Sequence, residues 1–306
     1  MTLTELRYIV AVAREKHFGK AAELCFVSQP TLSVSIKKLE DELSAKIFER
    51  GGTEVTLTDV GQRLVKQAQL ILDESNKMKV IADQGRDPLL GSLKLGIIFT
   101  IGPYLLPRIV KTIIDSVPKM PLILFEDYTL ALIEKLRTGI IDLAILAEPF
   151  DTSGLNISPI YDEPFLVAIP KKNSLGKTEE VEASDLKDET MLLLGVGHCL
   201  RNQALDVCPE AARYSTNAVG IQKTFEGSSL ETIRHMVSSG LGITILPKMA
   251  SISSINDDGI KLLNFKKPIP SRRVVLAWRK SFSRTEAIKK IKKLILSVDL
   301  PGCSKL

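Results

Sequence analysis

The chain has 306 residues, 44% hydrophobic and 25% charged, with a net charge of +5. That length predicts about two domains, and the balance is that of a globular protein able to bury large cores, which excludes a disordered or fibrous chain. Four cysteines are too few for a disulfide scaffold, no apolar run reaches bilayer length, and the N-terminus carries charge at once without the apolar core of a signal peptide, so a reducing cytoplasm and no membrane partner are expected.

Residues 1–60 read as three helices and a hairpin. Leu3, Leu6, Ile9, Val10 and Val12 give a first amphipathic helix, and Gly19 to Leu24 carry a second through Ala21, Ala22 and Leu24. Ser28 is a good N-cap, followed by Gln29 and Pro30 in the first turn of a third helix, where a missing N–H is tolerated. Leu32, Ile36, Leu39 and Leu43 lie on one face of that helix. The opposite face shows Pro30, Thr31, Val34, Lys37 and Lys38, with Gln29 and Ser33 toward its edge. A short helix, a tight turn and a second helix with small, polar and basic groups on a free face are what a helix-turn-helix needs. Its second helix enters the major groove N-terminus first, so that amides and hydroxyls reach base edges while Lys neutralises phosphate. Arg50-Gly51-Gly52 followed by Val55-Thr56-Leu57 predicts a hairpin wing beside it.

The run F-G-K-A-A-E-L-C-F-V-S-Q-P-T-L-S-V-S-I-K-K-L-E-D-E-L-S-A-K-I-F-E-R, followed by V-T-L-T-D-V-G, resembles the N-terminal signature of LysR-type transcriptional regulators. Ser44 stands where that family usually has glycine, and Cys25 belongs to the packing of the second helix. From Thr58 to Asp83 the chain has no proline, so it can run as one helix of about 38 Å at 1.5 Å per residue. Val60, Leu64, Ala68, Ile71, Ser75, Met78 and Ala82 form a coiled-coil-like seam along it. The resemblance implies a linker helix pairing two subunits; packing within the chain is the alternative. Gly85, Asp87, Pro88 and Gly91 mark the exit from it.

From Leu93 onward strand-like and helix-like segments alternate. Leu93 to Ile98, Leu122 to Phe125, Leu143 to Leu146, Phe165 to Ile169, Met191 to Leu194, Ile243 to Leu246 and Val274 to Trp278 are strand candidates. Tyr104 to Asp115, Thr129 to Thr138 and Leu230 to Ser238 read as helices. The alternation predicts α/β with mainly parallel sheets. So long a region fits two lobes better than one sheet. The family's effector domain, which resembles a bilobed periplasmic binding protein, implies the same, with crossings near Asp162 to Glu163 and Pro268 to Ser271. The expected organisation is α/β: a winged helix-turn-helix over 1–58, a linker helix over 59–88, and a regulatory domain over 89–306 with lobe I (89–163 plus 268–306) and lobe II (164–267). The basic run from Lys266 to Lys293 has Ile288, Ile291, Leu294 and Ile295 at helical spacing, so its lysines read as a solvated face.

Gly197 to Cys208 reads G-H-C-L-R-N-Q-A-L-D-V-C, with eight residues between the cysteines. In a helix, positions that far apart are separated by about 13.5 Å along the axis, against the roughly 5.5 Å between Cα atoms that a disulfide needs. A Cys199 to Cys208 bond therefore requires the segment to refold, which makes such a bond a switch. Leu200 to Val207 read as a short helix, which puts Cys199 at its N-terminus, facing unpaired N–H groups and the positive dipole end. His198 and Arg201 add hydrogen bonding and positive charge. Cys199 is thus cast as the sulfur that reacts first and Cys208 as the resolving thiol that condenses with its sulfenic acid. The alternative is two buried cysteines acting as small hydrophobes.

This segment, with F-E-G-S-S-L-E-T-I-R-H-M-V from Phe225 to Val237, resembles the peroxide-sensing OxyR branch of the LysR family. The resemblance implies attack by hydrogen peroxide on Cys199, resolution by Cys208, and a tetrameric activator that binds promoter DNA and contacts RNA polymerase, with no cofactor and no metal. Thr100, Thr129, His198 and Arg272 match its peroxide pocket, Arg273 being the alternative to Arg272. Peroxide carries no charge, so such a site must hydrogen-bond both oxygens and protonate the leaving hydroxide, which hydroxyls and an Arg can do. Thr100 and Thr129 can otherwise serve as helix caps. Pro209 stiffens the segment that has to rearrange. Cys303 reads as an exposed thiol without a role. A metabolite-binding member of the family, or a thiol peroxidase, are the rival functions; the second has no need of a DNA-reading domain.

Overall fold

Thr2 starts the first helix, α1 (Leu3–Glu15), with a capping box: its hydroxyl accepts the Glu5 N–H at 3.2 Å and the Glu5 carboxylate accepts the Thr2 N–H at 2.7 Å. The computed structural model describes residues 1–49, 55–83, 89–209, 229–252 and 259–306. α2 (Phe18–Leu24) and α3 (Gln29–Glu42) follow, and Leu6, Ile9, Val12, Ala21, Ala22, Leu32, Ile36 and Leu39 are buried as the periodicity predicts, whereas Leu3 and Leu24, expected on the same faces, are exposed. β1 (Phe48–Glu49) pairs antiparallel with β2 (Thr56–Leu57) as the expected wing; its tip, with Arg50-Gly51-Gly52, lies outside the described residues.

Glu40 fastens this wing to α3. Glu40 is buried and its carboxylate accepts the N–H groups of Ile47 at 2.8 Å and Phe48 at 3.3 Å, with the Lys46 ammonium at 3.2 Å. Burial pushes its pKa up, but these donors outweigh burial and hold it below the usual glutamate value. Ser44 takes φ +49°, the left-handed conformation that favours glycine.

α4 (Asp59–Asp83) is a single 25-residue helix. The seam expected along it is partly occupied by its own chain. Val65 and Ala68 are buried in the core of the N-terminal domain and Leu64 and Ile71 pack against it, whereas Val60 and Met78 are 45% and 74% exposed. The Ala82 side chain and the exit at Gly85, Asp87 and Pro88 lie outside the described residues. Farther along, Asp73 is buried and accepts from Arg279 Nε at 2.7 Å, Arg279 Nη2 at 3.2 Å, Gln69 Nε2 at 2.9 Å and the Ser281 hydroxyl. This knot docks the linker helix on the domain that follows.

In that domain β3 (Leu93–Ile98) lies parallel to β4 (Leu122–Asp127) and β5 (Leu143–Ala147), with α5 (Gly102–Ser116) and α6 (Thr129–Arg137) as the crossovers. The remainder departs from the mainly parallel sheet expected. β6 (Leu155–Pro170) runs through both lobes: it pairs antiparallel with β10 (Ser271–Arg279) as far as Pro164, then with β8 (Thr244–Pro247) from Phe165 and β9 (Ile260–Phe265) from Leu166. Two long strands that carry the chain between lobes in opposite directions can pair only antiparallel. β7 (Glu180–Val181) pairs parallel with β9.

The strand expected over Met191 to Leu194 reduces to one bridge, Met191 with Ile243. Met191, Leu192 and Leu194 are buried, so the apolar run fills core rather than extending a ladder. α7 (Cys199–Val207) and α8 (Leu230–Ser238) follow expectation; of the Phe225 to Val237 motif, residues 225–228 lie outside the described residues. α9 (Thr285–Ser297) buries Ile288, Ile291, Leu294 and Ile295 and leaves Lys289 and Lys293 exposed. The chain then closes on β6 through β11 (Ser304–Lys305), opposite Asp162 and Tyr161. Cys303 is consequently not the exposed thiol expected. It is half-buried against the core, and its pKa is pushed up to about 12, first by burial and then by the charge of Glu163.

Candidate functional site

The first candidate surface is the N-terminal half of α3. Ser28 accepts the Thr31 N–H at 3.3 Å and its hydroxyl lies 2.8 Å from that of Thr31, while Gln29 Nε2 donates to Ser33 Oγ at 3.0 Å. Gln29, Pro30, Thr31, Val34, Lys37 and Lys38 are exposed and Ser33 is half-buried. Six of the seven sequence-selected residues are therefore exposed on a capped helix, with Ser33 at the edge of the surface they form. Amides, hydroxyls and ammonium groups held this way can address base edges and phosphates.

The second candidate site is built around α7. Gly197, at φ +104°, turns the chain into the helix, and a Cβ there would press on the Tyr128 ring at 3.1 Å. His198 is the N-cap residue but makes no side-chain cap bond. Its ring is instead wedged across the cleft, 4.8 Å from the ring centroid of Tyr128 and 6.0 Å from that of Phe99. The hydrogen bonding expected from His198 is thus replaced by aromatic packing, and burial pushes its pKa below the usual histidine value. Cys199 opens the helix and is half-buried; Cys208 closes it and is buried. All four cysteines are thiols, and the two ends of α7 keep these sulfurs apart.

Arg272 lies within electrostatic reach of Cys199 and is in register with Glu163 across the β10–β6 pair. Arg272 Nε donates to Glu163 Oε2 at 2.8 Å, Nη1 to Thr100 Oγ1 at 3.0 Å and Nη2 to the Thr100 carbonyl at 3.0 Å. Glu163 Oε1 in turn accepts the Met249 N–H at 2.8 Å. Burial works against the Arg272 charge, but the nearby Glu163 and then Cys199 favour it and leave its pKa above the usual value. The two arginine alternatives separate cleanly: Arg273 points outward and pairs with Asp162 at 2.8 Å.

Neither threonine caps a helix. α5 is capped by Ile101 and α6 by Tyr128, both without a side-chain bond. The Thr100 oxygen already accepts from Arg272, so its hydrogen is left to donate elsewhere. Thr129 Oγ1 is buried without a partner. The structure therefore brings Thr100, Arg272, Cys199 and His198 to one part of the cleft, with Thr129 beside Tyr128 at its wall.

Sequence reasoning missed Glu163, Tyr128 and Gln203. A carboxylate inside the apolar run I-Y-D-E-P-F-L-V was the available signal for Glu163. Gln203, one helical turn from Cys199, is buried and reaches across the lobes to donate from Nε2 to the Glu148 carbonyl at 2.8 Å; its Oε1 is buried without a partner. Tyr104 makes a similar bridge, donating to Glu231 at 2.7 Å. Among the described residues no helix is long and apolar enough to cross a membrane.

Comparison with known proteins adds to this geometry. Residues 3–62 match the bacterial regulatory helix-turn-helix protein model of the lysR family, and residues 86–298 match the LysR substrate binding domain. The DNA-binding transcriptional dual regulator OxyR of Escherichia coli strain K12 is 40% identical over 279 residues, 91% of this chain and 90% of that protein. A full-length cysteine-to-aspartate variant of OxyR from Pseudomonas aeruginosa superposes with a TM-score of 0.84 at 44% identity, covering 98% of this chain and 96% of that one. A hydrogen-peroxide-bound cysteine variant of OxyR from Corynebacterium glutamicum gives 0.65 at 33% identity over 96% and 91%. With both models matched in order along the chain and these relatives spanning nearly all of it, the chain belongs to the LysR family of transcriptional regulators, in its OxyR branch.

Proposed function

We propose that this chain is a hydrogen-peroxide-sensing DNA-binding regulator, switched by a bond between Cys199 and Cys208. The observation that carries the reading is the seating of Cys199: it opens a helix beside the buried Arg272–Thr100 pair, while Cys208 closes the same helix. Peroxide enters next to Cys199, with Thr100, Thr129 and Arg272 supplying its hydrogen bonds and His198 closing the wall. The sulfur takes one oxygen, the O–O bond breaks, and the proton from the thiol leaves with the other oxygen as water. Cys208 then attacks the sulfenic sulfur; the S–S bond forms, the S–O bond breaks, and a second water departs. Because α7 holds the sulfurs at its two ends, the second step unwinds it.

The relatives are named as activators of hydrogen peroxide-inducible genes, which supports this reading over a metabolite effector. So does the cleft, whose faces are joined directly by His198 against Tyr128 and by Tyr104 with Glu231. Gln29, Thr31 and Ser33 read base edges in promoter DNA, with Pro30 and Val34 against them and Lys37 and Lys38 on phosphate. Domains 1–58, 59–88 and 89–306 divide the labour. Paired α4 helices join two chains, two such dimers form a tetramer that contacts RNA polymerase, and the setting is the cytoplasm. The test is to add hydrogen peroxide with no metabolite present. A Cys199 to Cys208 bond and a footprint of changed length are expected. Sulfenate trapped on Cys208, or identical footprints in dithiothreitol and peroxide, would overturn the assignment.

A further inference from the structure

The turn between α2 and α3 contains a side chain that nothing within the chain explains. Phe26 has φ +55° and is 95% exposed. That conformation suits glycine or asparagine and strains an aromatic residue. The turn has no slack to relieve it: the Phe26 N–H donates to the Glu23 carbonyl at 3.1 Å and the Val27 N–H to the Ala22 carbonyl at 3.1 Å. Phe26 therefore combines an unfavourable backbone with an unburied ring, so folding alone gives no reason for phenylalanine here. Strain of this kind is tolerated where it serves a site.

Its position says which site. Two residues on, Ser28 caps α3, and the exposed Gln29, Pro30, Thr31 and Val34 follow. A helix that enters the major groove N-terminus first carries the preceding turn to the groove wall. A phenyl ring has no donor or acceptor to offer there. The one apolar feature that base edges present in the major groove is the thymine C5-methyl group.

We propose that Phe26 is a DNA-contacting residue that packs its ring on a thymine methyl at the edge of each half-site, extending the recognition surface beyond α3. The inference rests on the DNA-reading role proposed above. It gives this chain a preference for thymine at a position no polar side chain addresses.

The full-length protein first enriches a duplex from a random-sequence pool, and that duplex is remade with uracil in place of every thymine. Wild type, Phe26→Asn and Phe26→Leu are then compared for melting temperature and for affinity on both duplexes. Phe26→Asn, which tolerates the left-handed backbone, should melt about 2–4 °C higher. It should nevertheless bind the thymine duplex roughly fourfold more weakly per half-site, the value of one buried methyl-sized contact. Wild type should lose more affinity than Phe26→Asn on going to uracil, since other residues that touch thymine contribute equally to both. Phe26→Leu should retain part of the methyl dependence. Equal losses for wild type and Phe26→Asn on the uracil duplex overturn the thymine contact, as does unchanged affinity of Phe26→Asn. Failure of wild type to enrich any duplex defeats the DNA-reading role itself, and this inference with it.

Discussion

α3 and α7 each carry working residues at the helix N-terminus, Gln29 and Thr31 on one and Cys199 on the other, and they are built in opposite ways. α3 is closed by the Ser28 side chain, reinforced by the Ser28–Thr31 and Gln29–Ser33 bonds, and exposed to solvent. α7 has no side-chain cap. Its first residue is half-buried, and the helix is held by contacts to the other lobe through His198 and Gln203. A reading helix has to keep its shape in every state, so local capping serves it. A helix that unwinds in the proposed switch is better held by contacts that lapse together when the lobes shift.

The strongest way to break this comparison is to remove what faces α7. Arg272→Ala leaves Glu163 buried without its counter-charge, so the regulatory domain should lose roughly 3–5 kcal/mol in denaturant melts, with no change in the helix-turn-helix core. Ser28→Ala should remove about 1 kcal/mol from the DNA-reading domain and weaken DNA binding, while peroxide oxidation of Cys199 proceeds at the wild-type rate. Gln203→Leu should do the reverse. Losing one net hydrogen bond, worth about 1 kcal/mol, should speed the disulfide step about fivefold under rapid-quench thiol labelling and leave DNA affinity of the reduced protein unchanged.

Two smaller effects sharpen the α3 side. Lys37→Ala should lower the slope of log affinity against log salt by about 0.9 and weaken all sequences alike, which titrations at several salt concentrations would read. Glu40 has a folded-state pKa below its unfolded value, so its contribution is present above the unfolded value and lost as pH falls through the folded one. Acid melts of the wild type should show this loss, and Glu40→Gln should flatten the curve.

Much of this contrast could be read from sequence because it is local. Ser28-Gln29-Pro30 specifies a helix start by hydrogen-bonding capacity and fixed φ, and the 3.6-residue pattern of Leu32, Ile36 and Leu39 specifies its buried face. The short strands β3 and β5 were legible as apolar runs, whereas the 16-residue β6 was legible only in its second half, where Phe165 to Ile169 is buried throughout. Its first half mixes Asn156, Ser158 and Pro159 into the run and is fixed by pairing with β10, more than a hundred residues away. Separation in sequence also hid Glu163, 109 residues from Arg272, and Gln203, 55 residues from Glu148; both pairings are set by topology and not by spacing. Cys303 was misread because β11 exists only as an addition to β6. The seam of α4 was visible, but not that α1 of the same chain covers part of it.

Strand β10 carries Arg272 near its first residue and Arg279 as its last, with β5 and β6 on either side. One arginine sits in the cleft beside Cys199 and the other grips Asp73 of the linker helix, about 23 Å apart at 3.3 Å per residue. Between them β10 is paired with β6 along its whole length and with β5 over Val274 to Ala277, and its register against β6 shifts between Val274 and Val275. The residue beside the sulfur and the residue that holds the linker helix therefore belong to one strand, with no loop between them.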